Sequence, residues 1–293
     1  MKTNKFSKFA NPDVLKFYEE LPFNYYSSVE KQAEKIKNGE KNLNIYGPLK
    51  EELKKNKKII DIGCGAGYLT NNISFVYPDK SVLGIDFNEI AINRANEVSK
   101  FLKLNSLFET HDIFKFSPSV KYDLAISIGV LHHTYDCFEA LRCIIKNVIN
   151  KKGKLYIGLY NSYGRKPFLN YFKKLKEDKL SENEIFNKYA ELHKNLKDTT
   201  HLKSWYRDQV LHPYETQFSI KEVINILDKE NFKITYTSIN KFDKIFYSNE
   251  TGYKKDQLEH IYNLEKDMEK IGKEALVNKR YYPGFFTFLA EAK

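Results

Sequence analysis

The most constraining feature of this sequence is a short apolar segment that runs directly into a glycine-rich turn. Residues 58–62 read as a buried strand, and Gly63, Gly65 and Gly67 then alternate with other residues before a helical pattern begins. Glycine lacks a Cβ atom, so a ligand can lie against the backbone of such a turn. A strand, a glycine turn and a helix in this order are typical of a parallel α/β sheet that binds a nucleotide-like ligand.

Apolar strands and amphipathic helices alternate through much of the remaining chain. Strands are predicted at 58–62, 81–85, 106–109, 122–128, 154–160, 232–238 and 285–290, and helices of this core at 89–102, 137–149 and 220–229. Such alternation predicts a mostly parallel sheet that is covered by helices on both faces.

The spacing of these elements divides the chain into four regions. Residues 1–57 are predicted to form a helical N-terminal cap, and 58–161 the core that binds the cofactor. Residues 162–217 are polar, aromatic and helical, which indicates an inserted lid over the substrate. Residues 218–293 complete the sheet and carry a second helical insertion at about 241–282.

Three aspartates follow successive strands and indicate what the glycine turn binds. The Asp61 carboxylate would repel a pyrophosphate on the same turn, whereas it suits a ligand with an ammonium group and a positive sulfonium. Asp86, 19 residues after Gly67, can accept hydrogen bonds from ribose hydroxyls. Asp112 can accept from an adenine amino group. Together these residues favour a cationic adenosine derivative over a dinucleotide.

The sequence around these residues resembles the core of class I S-adenosylmethionine-dependent methyltransferases that act on small molecules. The matching motifs are DIGCGAG at 61–67, GID at 84–86, HD at 111–112, YDLAISIGVLHH at 122–133 with Asp136, and KGKL at 152–155. The resemblance implies a doubly wound, Rossmann-like sheet of seven strands with the last one antiparallel, and helical insertions after strands five and six.

The resemblance also implies which residues bind S-adenosylmethionine, the expected cofactor. Asp61 and the glycines would face its methionine part, Asp86 the ribose, and Asp112 with Ile113 the adenine. The full expected set is Asp61, Gly63, Cys64, Gly65, Gly67, Asp86, Phe87, Asp112, Ile113, Gly129 and Val130, the last two on the cofactor floor.

Candidates for substrate binding and catalysis lie mainly in the first insertion, which leaves the carboxyl end of the fifth strand, where ligands of such sheets bind. They are Asn161, Arg165, Arg207, His212 and Glu215 for the substrate, with His212, His132 and Tyr160 as catalytic candidates. His212 is either a general base or part of a packing corner before Pro213. Each arginine either clamps an anionic substrate or forms an ion pair between regions of the chain.

The composition limits the partners of the protein. Its net charge is +10, but the basic residues are 43 lysines and only five arginines, interspersed with acids. A nucleic-acid-binding surface usually contains arginine and a concentrated stripe of basic residues, so a small-molecule partner is favoured over RNA. No apolar run is long enough to span a membrane. Three cysteines without a CxxC pair favour a cytoplasmic protein without a metal site.

Three functions remain open at this point. The first is methyl transfer from S-adenosylmethionine to a small polar molecule, most readily at an oxygen or nitrogen acceptor, by in-line displacement. The second is methylation of RNA. The third is a non-catalytic or nucleotide-binding protein on the same fold.

Overall fold

The structure is a computed structural model that describes residues 11–240 and 253–293. Its core is a seven-stranded sheet with the order β3-β2-β1-β4-β5-β7-β6. The strands are β1 (Lys58–Ile62), β2 (Ser81–Asp86), β3 (Leu107–Thr110), β4 (Tyr122–Ile128), β5 (Ile149–Tyr160), β6 (Phe232–Thr237) and β7 (Phe285–Ala292). Only β7 pairs antiparallel with its neighbours β5 and β6. The predicted Rossmann-like fold class is therefore confirmed.

The central strands are largely buried because helices cover both faces of the sheet. Four of the five residues of β1 are buried, and the second half of β5 is buried completely. The helices of the core are α5 (Tyr68–Val76), α6 (Glu89–Leu102), α7 (Cys137–Cys143) and α11 (Ile220–Lys229). Asn88 caps α6 by accepting from the backbone N–H groups of Ile90 and Ala91.

The N-terminal cap comprises α1 (Pro12–Glu20), α2 (Val29–Ile36), α3 (Glu40–Leu43) and α4 (Leu49–Lys55). Asn11 caps α1 and Pro12 occupies its first turn, as the sequence indicates. Buried Ala33 and Ile36 of α2 pack against Val98 of α6 and attach the cap to the core.

The first insertion contains α8 (Ser162–Glu177), α9 (Glu182–Leu192), α10 (Thr199–Tyr206) and a π-helical turn, Arg207–Leu211. It has an aromatic core of its own, which includes Phe168, Phe172, Tyr189 and Tyr206. The second insertion contributes α12 (Lys255–Val277), which packs along α8. The rest of that predicted insertion, residues 241–252, lies outside the described residues.

Two boundaries in the core differ from the prediction by more than two residues. The predicted helix 137–149 ends its α-helical part at Cys143 and continues as a π-helical turn, Ile144–Val148. Strand β5 then begins at Ile149, earlier than the apolar pattern indicates, because its first residues are polar and partly exposed. Among the described residues, no helix combines the length and the apolar character that crossing a membrane requires.

Candidate functional site

The glycine turn is held open at the carboxyl ends of β1 and β2. The backbone N–H groups of Gly63 and Cys64 both donate to the carbonyl of Ile85, at 2.7 and 3.0 Å. Gly63 has a φ of +72°, and a Cβ atom on it would lie 2.4 Å from the Val130 side chain. Only glycine fits this position, and its absent side chain lets the loop after β4 close on the turn.

Three carboxylates surround the turn. Asp61 is buried and accepts a 2.6 Å hydrogen bond from the Thr70 hydroxyl. Burial raises the pKa of Asp61 to about 6, and the hydrogen bond from Thr70 opposes part of that rise. Asp86 accepts from the backbone N–H groups of Gly65 and Asn88, both at 2.9 Å, and burial raises its pKa. Asp112 accepts from the N–H of Phe114 at 3.0 Å.

These groups line a cavity of about 230 Å³. Of the eleven residues predicted to bind the cofactor, ten lie on its wall: Asp61, Gly63, Cys64, Gly65, Asp86, Phe87, Asp112, Ile113, Gly129 and Val130. Gly67 does not, because it is covered by Ala95 and Phe108, which a Cβ atom would approach to 2.6 and 2.9 Å. At Gly129 a Cβ atom would meet nothing within 4 Å and would point into open space.

The N-terminal cap forms much of the opposite wall. Asn11, Val14, Tyr18, Phe23 and Asn24 all line the cavity. The asparagine side chain of Asn88 donates to the backbone carbonyl of Tyr18 at 2.8 Å and joins α1 to the core. Sequence reasoning missed these residues, because no local motif marks a helix that acquires its role only when it docks.

Arg165 and Glu215 form an ion pair inside the protein. The Arg165 side chain is completely buried, and its two nitrogens Nε and Nη2 donate to the Glu215 carboxylate at 3.0 and 2.8 Å. Its guanidinium also stacks on Tyr160, 4.0 Å from the ring centroid. Neither residue lines the cavity, so the ion-pair alternative describes this pair better than a substrate clamp.

Asn161 and Tyr160 are buried at the end of β5 and also lie away from the cavity wall. Asn161 caps α8, accepting from the N–H groups of Tyr163 and Gly164, and it donates to Glu265 at 2.6 Å. Burial raises the pKa of Tyr160 well above its usual value, so the phenol stays protonated. Both residues therefore have structural contacts at the start of the first insertion, where Asn161 caps α8 and Tyr160 packs against Arg165.

His132 is fully buried and does not line the cavity. Its Nδ1 accepts from the backbone N–H of Tyr160 at 3.3 Å. Burial lowers the pKa of His132 well below its ordinary range, with the neighbouring His133 adding to the effect. The ring therefore belongs to the packing between β4 and β5.

His212 lies behind the cavity wall rather than on it. Its ring stacks on that of His133 with centroids 3.8 Å apart, and His133 does line the cavity. Burial lowers the pKa of His212 to about 2, and the neighbouring His133 contributes a smaller part of this lowering. Arg207 lies further out, where it donates to the carbonyl of Phe17 at 3.0 Å and to Glu20 at 2.7 Å.

The lid and the cap meet at a second group of polar side chains. The Tyr18 phenol donates to the carboxylate of Asp208, which burial and the π-helical turn hold against the cap. One ring nitrogen each of His133 and His212 and a carboxylate oxygen of Asp208 lie within 4.8 Å of one another. Lid, cap and core therefore converge beside His133.

Comparison with known proteins defines the class. Residues 53–274 match the family described as "Methyltransferase domain". This match covers well over half of the chain, so the chain belongs to that family. The predicted membership of the S-adenosylmethionine-dependent methyltransferases, with S-adenosylmethionine as the cofactor, is confirmed at the level of the family.

Solved structures show the same fold. One is PKMT2 from Rickettsia typhi in complex with AdoHcy, with a TM-score of 0.57 and 16% identity, covering 100% of this chain and 55% of that one. Another is magnesium protoporphyrin IX methyltransferase from Synechocystis PCC 6803 with bound SAH, with a TM-score of 0.51 and 14% identity, covering 96% and 94%.

Among curated proteins, a malonyl-acyl-carrier protein O-methyltransferase from Bacillus anthracis is 29% identical over 132 residues. The match covers 43% of this chain and 46% of that protein. The chain thus matches less than half the length of this relative.

Proposed function

We propose that this protein transfers the methyl group of S-adenosylmethionine to a small polar molecule by in-line displacement. The observation that carries the proposal is the charge of the cavity wall. Asp61, Asp86 and Asp112 all lie on it, and none of the described residues that line it is lysine or arginine. Such a wall attracts a cationic sulfonium nucleoside and repels a diphosphate.

The cavity residues fit the parts of this cofactor. We expect Asp61 to face its ammonium group, Asp86 its ribose hydroxyls, and Asp112 with Ile113 its adenine. Both Asp86 oxygens already accept one backbone N–H each, and each retains a lone pair for a hydroxyl donor. The open space over Gly129 leaves room for the ligand on the cavity floor.

The chain's contribution to the reaction is positioning and the exclusion of water. When bound, the cofactor supplies an electrophilic methyl group, so the acceptor needs only to be held in line with it. The cap forms much of the cavity wall opposite the glycine turn, which suits this role, whereas none of residues 162–217 lines the cavity. An oxygen or nitrogen acceptor is the finer proposal.

Four of the five arginines argue against RNA as the substrate. Arg94, Arg142, Arg165 and Arg207 each form an ion pair with a glutamate. They are therefore engaged within the protein, whereas a surface for RNA would present guanidinium groups to phosphates.

The proposal is tested by following the methyl group. The protein is incubated with methyl-labelled S-adenosylmethionine and, separately, with an extract of small metabolites or with total RNA. We expect label in a small molecule and none in RNA, with much less label for the Asp86→Ala variant at limiting cofactor and full activity for the surface variant Asp79→Ala. Label in RNA, or labelled metabolites at equal yield with Asp86→Ala, would contradict the proposal.

A further inference from the structure

His133 lines the cavity, and one of its ring nitrogens has no hydrogen-bond partner among the described residues. Its Nδ1 lies 2.9 Å from the backbone carbonyl of Tyr214. A carbonyl can only accept, so Nδ1 carries the proton and the neutral ring keeps a lone pair on Nε2. This Nε2 is buried and has no hydrogen-bond partner among the described residues. A buried, unpartnered acceptor beside a ligand cavity calls for an explanation.

His212 has the opposite tautomer. The backbone N–H of Tyr214 donates to its Nδ1 at 3.1 Å, so a neutral His212 carries its proton on Nε2. One residue, Tyr214, therefore fixes both rings through its carbonyl and its N–H. His212 packs behind His133 and restrains its orientation, but it does not line the cavity.

The same two observations argue against a metal ion between His133, Asp208 and His212. A metal ligand must offer a lone pair, and the Nε2 of His212 is protonated in this tautomer. The two rings are also stacked, 28° from parallel and 3.8 Å apart, so their in-plane lone pairs do not converge on one point.

Asp208 lies where a positive charge on His133 would form. One of its carboxylate oxygens is within 4.8 Å of a His133 ring nitrogen, and the Tyr18 phenol donates to this carboxylate. A carboxylate next to an imidazole stabilises the imidazolium. Asp208 belongs to a π-helical turn, a rare conformation that is frequent at functional sites.

The charge of the cavity wall limits the chemical class of the methyl acceptor. None of the described residues on its wall is a lysine or an arginine, and Arg165 and Arg207 are paired with Glu215 and Glu20. A carboxylate or phosphate acceptor would therefore enter without a cationic side chain to bind it, beside three aspartates. An uncharged hydroxyl avoids that cost but needs a base to become a nucleophile.

We propose that Nε2 of His133 is the general base that deprotonates an uncharged hydroxyl of the methyl acceptor, with Asp208 and His212 as positioning residues. The O–H bond breaks and its proton passes to Nε2. The oxygen bonds to the methyl carbon as the carbon–sulfur bond breaks, with its electron pair left on sulfur. The charge lost by the sulfonium appears on the imidazolium, beside Asp208.

Tyr18 lies on the same cavity wall as His133. Because Nε2 of His133 is shielded from solvent in this structure, the inference requires a side chain beside it to move as the acceptor enters. This inference rests on the proposed methyl transfer.

The first test needs no acceptor. Long-range proton–nitrogen NMR of the full chain, labelled with ¹⁵N-histidine, assigns each tautomer, and His133→Gln identifies the His133 signals. We expect His133 protonated at Nδ1 and His212 at Nε2. Protonation of His133 at Nε2 would overturn the proposal, as would stoichiometric Zn²⁺ binding that is lost in His133→Gln.

The second test uses small phenols and alcohols, each paired with its carboxylic-acid counterpart, together with labelled S-adenosylmethionine. We expect methylated hydroxyl compounds only, and a fall in kcat of about 100-fold or more in His133→Gln. The cofactor affinity measured by calorimetry should change less than about twofold, because the residue acts only on the acceptor. His260→Gln, on an exposed face of α12, is the matched control.

The pH profile and chemical rescue separate a base from a structural residue. Titratable or charged side chains around His133 are His132, Tyr160, Arg165, Asp208 and His212, with Tyr18 beyond Asp208. The pH profile of the wild-type kcat should contain a limb that His133→Gln lacks. Imidazole should restore activity to His133→Gly. Full activity of His133→Gln, or methylation of carboxylates alone, would overturn the inference about His133. The proposed methyl transfer would still stand in that case, provided that the protein binds S-adenosylmethionine.

Discussion

Arg165 illustrates how much the surroundings of one residue decide its role. In the sequence it is a rare arginine just after a core strand, where binding an anionic substrate and pairing within the protein are equally reasonable. In the structure its guanidinium is fully buried, paired with Glu215 and stacked on Tyr160 and Phe168. A charge so enclosed is tolerated only because each partner is present.

Loss of the guanidinium should therefore destabilise the protein. We expect Arg165→Met to lower the free energy of unfolding by about 3–5 kcal/mol, because it leaves the Glu215 carboxylate buried without its partner. Urea unfolding measures the change. Lys173→Met, which removes an exposed pair with Glu177, should cost less than about 1 kcal/mol. Equal effects of the two substitutions would contradict this account of Arg165.

Asp86 allows a test of the cofactor assignment at a single side chain. Its carboxylate lies on the cavity wall, oriented by the N–H groups of Gly65 and Asn88. We expect Asp86→Ala to weaken binding of S-adenosylmethionine at least about tenfold, or about 1.4 kcal/mol, since two charge-assisted hydrogen bonds to the ribose are lost. Calorimetry measures this affinity, and an unchanged value would contradict the assignment of Asp86 to the ribose.

At the scale of elements, the glycine turn owes its shape to the strand ends on either side. Gly63 is tied to Ile85 of β2 and lies against Val130 after β4. A Cβ atom on Gly65, in contrast, would come no closer than 3.9 Å to the Phe23 carbonyl oxygen, its nearest neighbour among the described residues. Both glycines have positive φ values, so they differ in packing rather than in backbone strain.

This difference predicts unequal effects of two similar substitutions. Alanine at either position costs about 1–2 kcal/mol for its left-handed backbone. Gly63→Ala should cost about 1–3 kcal/mol more, because its methyl group overlaps Val130. Thermal or urea unfolding of the two variants provides the comparison. The same loss of stability in both would show that Val130 moves aside.

The elements also explain what the sequence could predict of the site. The glycine turn, Asp86 and Asp112 were predictable because each follows a strand with a local pattern, and parallel strands align their ends. The wall formed by α1 was not, since its contact between Tyr18 and Asp208 joins residues 190 positions apart. Residue type alone indicates the substrate candidates, whereas in the structure Arg165 pairs with Glu215 and Asn161 caps α8.

At the scale of the whole molecule, a nearly neutral sheet carries helical additions that close over one end of it. The order of strands and helices in the sequence predicted this sheet because hydrophobic periodicity is local. It did not reveal the early start of β5, where Ile149 pairs with Tyr122 ahead of the polar residues 150–152. The cap and the sheet together make the acidic cavity on which the proposed function depends.

The affinity for S-adenosylmethionine as a function of pH tests this central claim most directly. Burial raises the pKa of Asp61 to about 6, and a cationic ligand favours the ionised carboxylate. Protons therefore compete with the ligand, and the affinity should fall as pH decreases from about 7 to about 5. Calorimetry on the wild type should show this fall and no binding of NAD, and Asp61→Asn should bind weakly with little pH dependence. Equal affinity of both proteins at every pH, or tighter binding of NAD, would contradict the account.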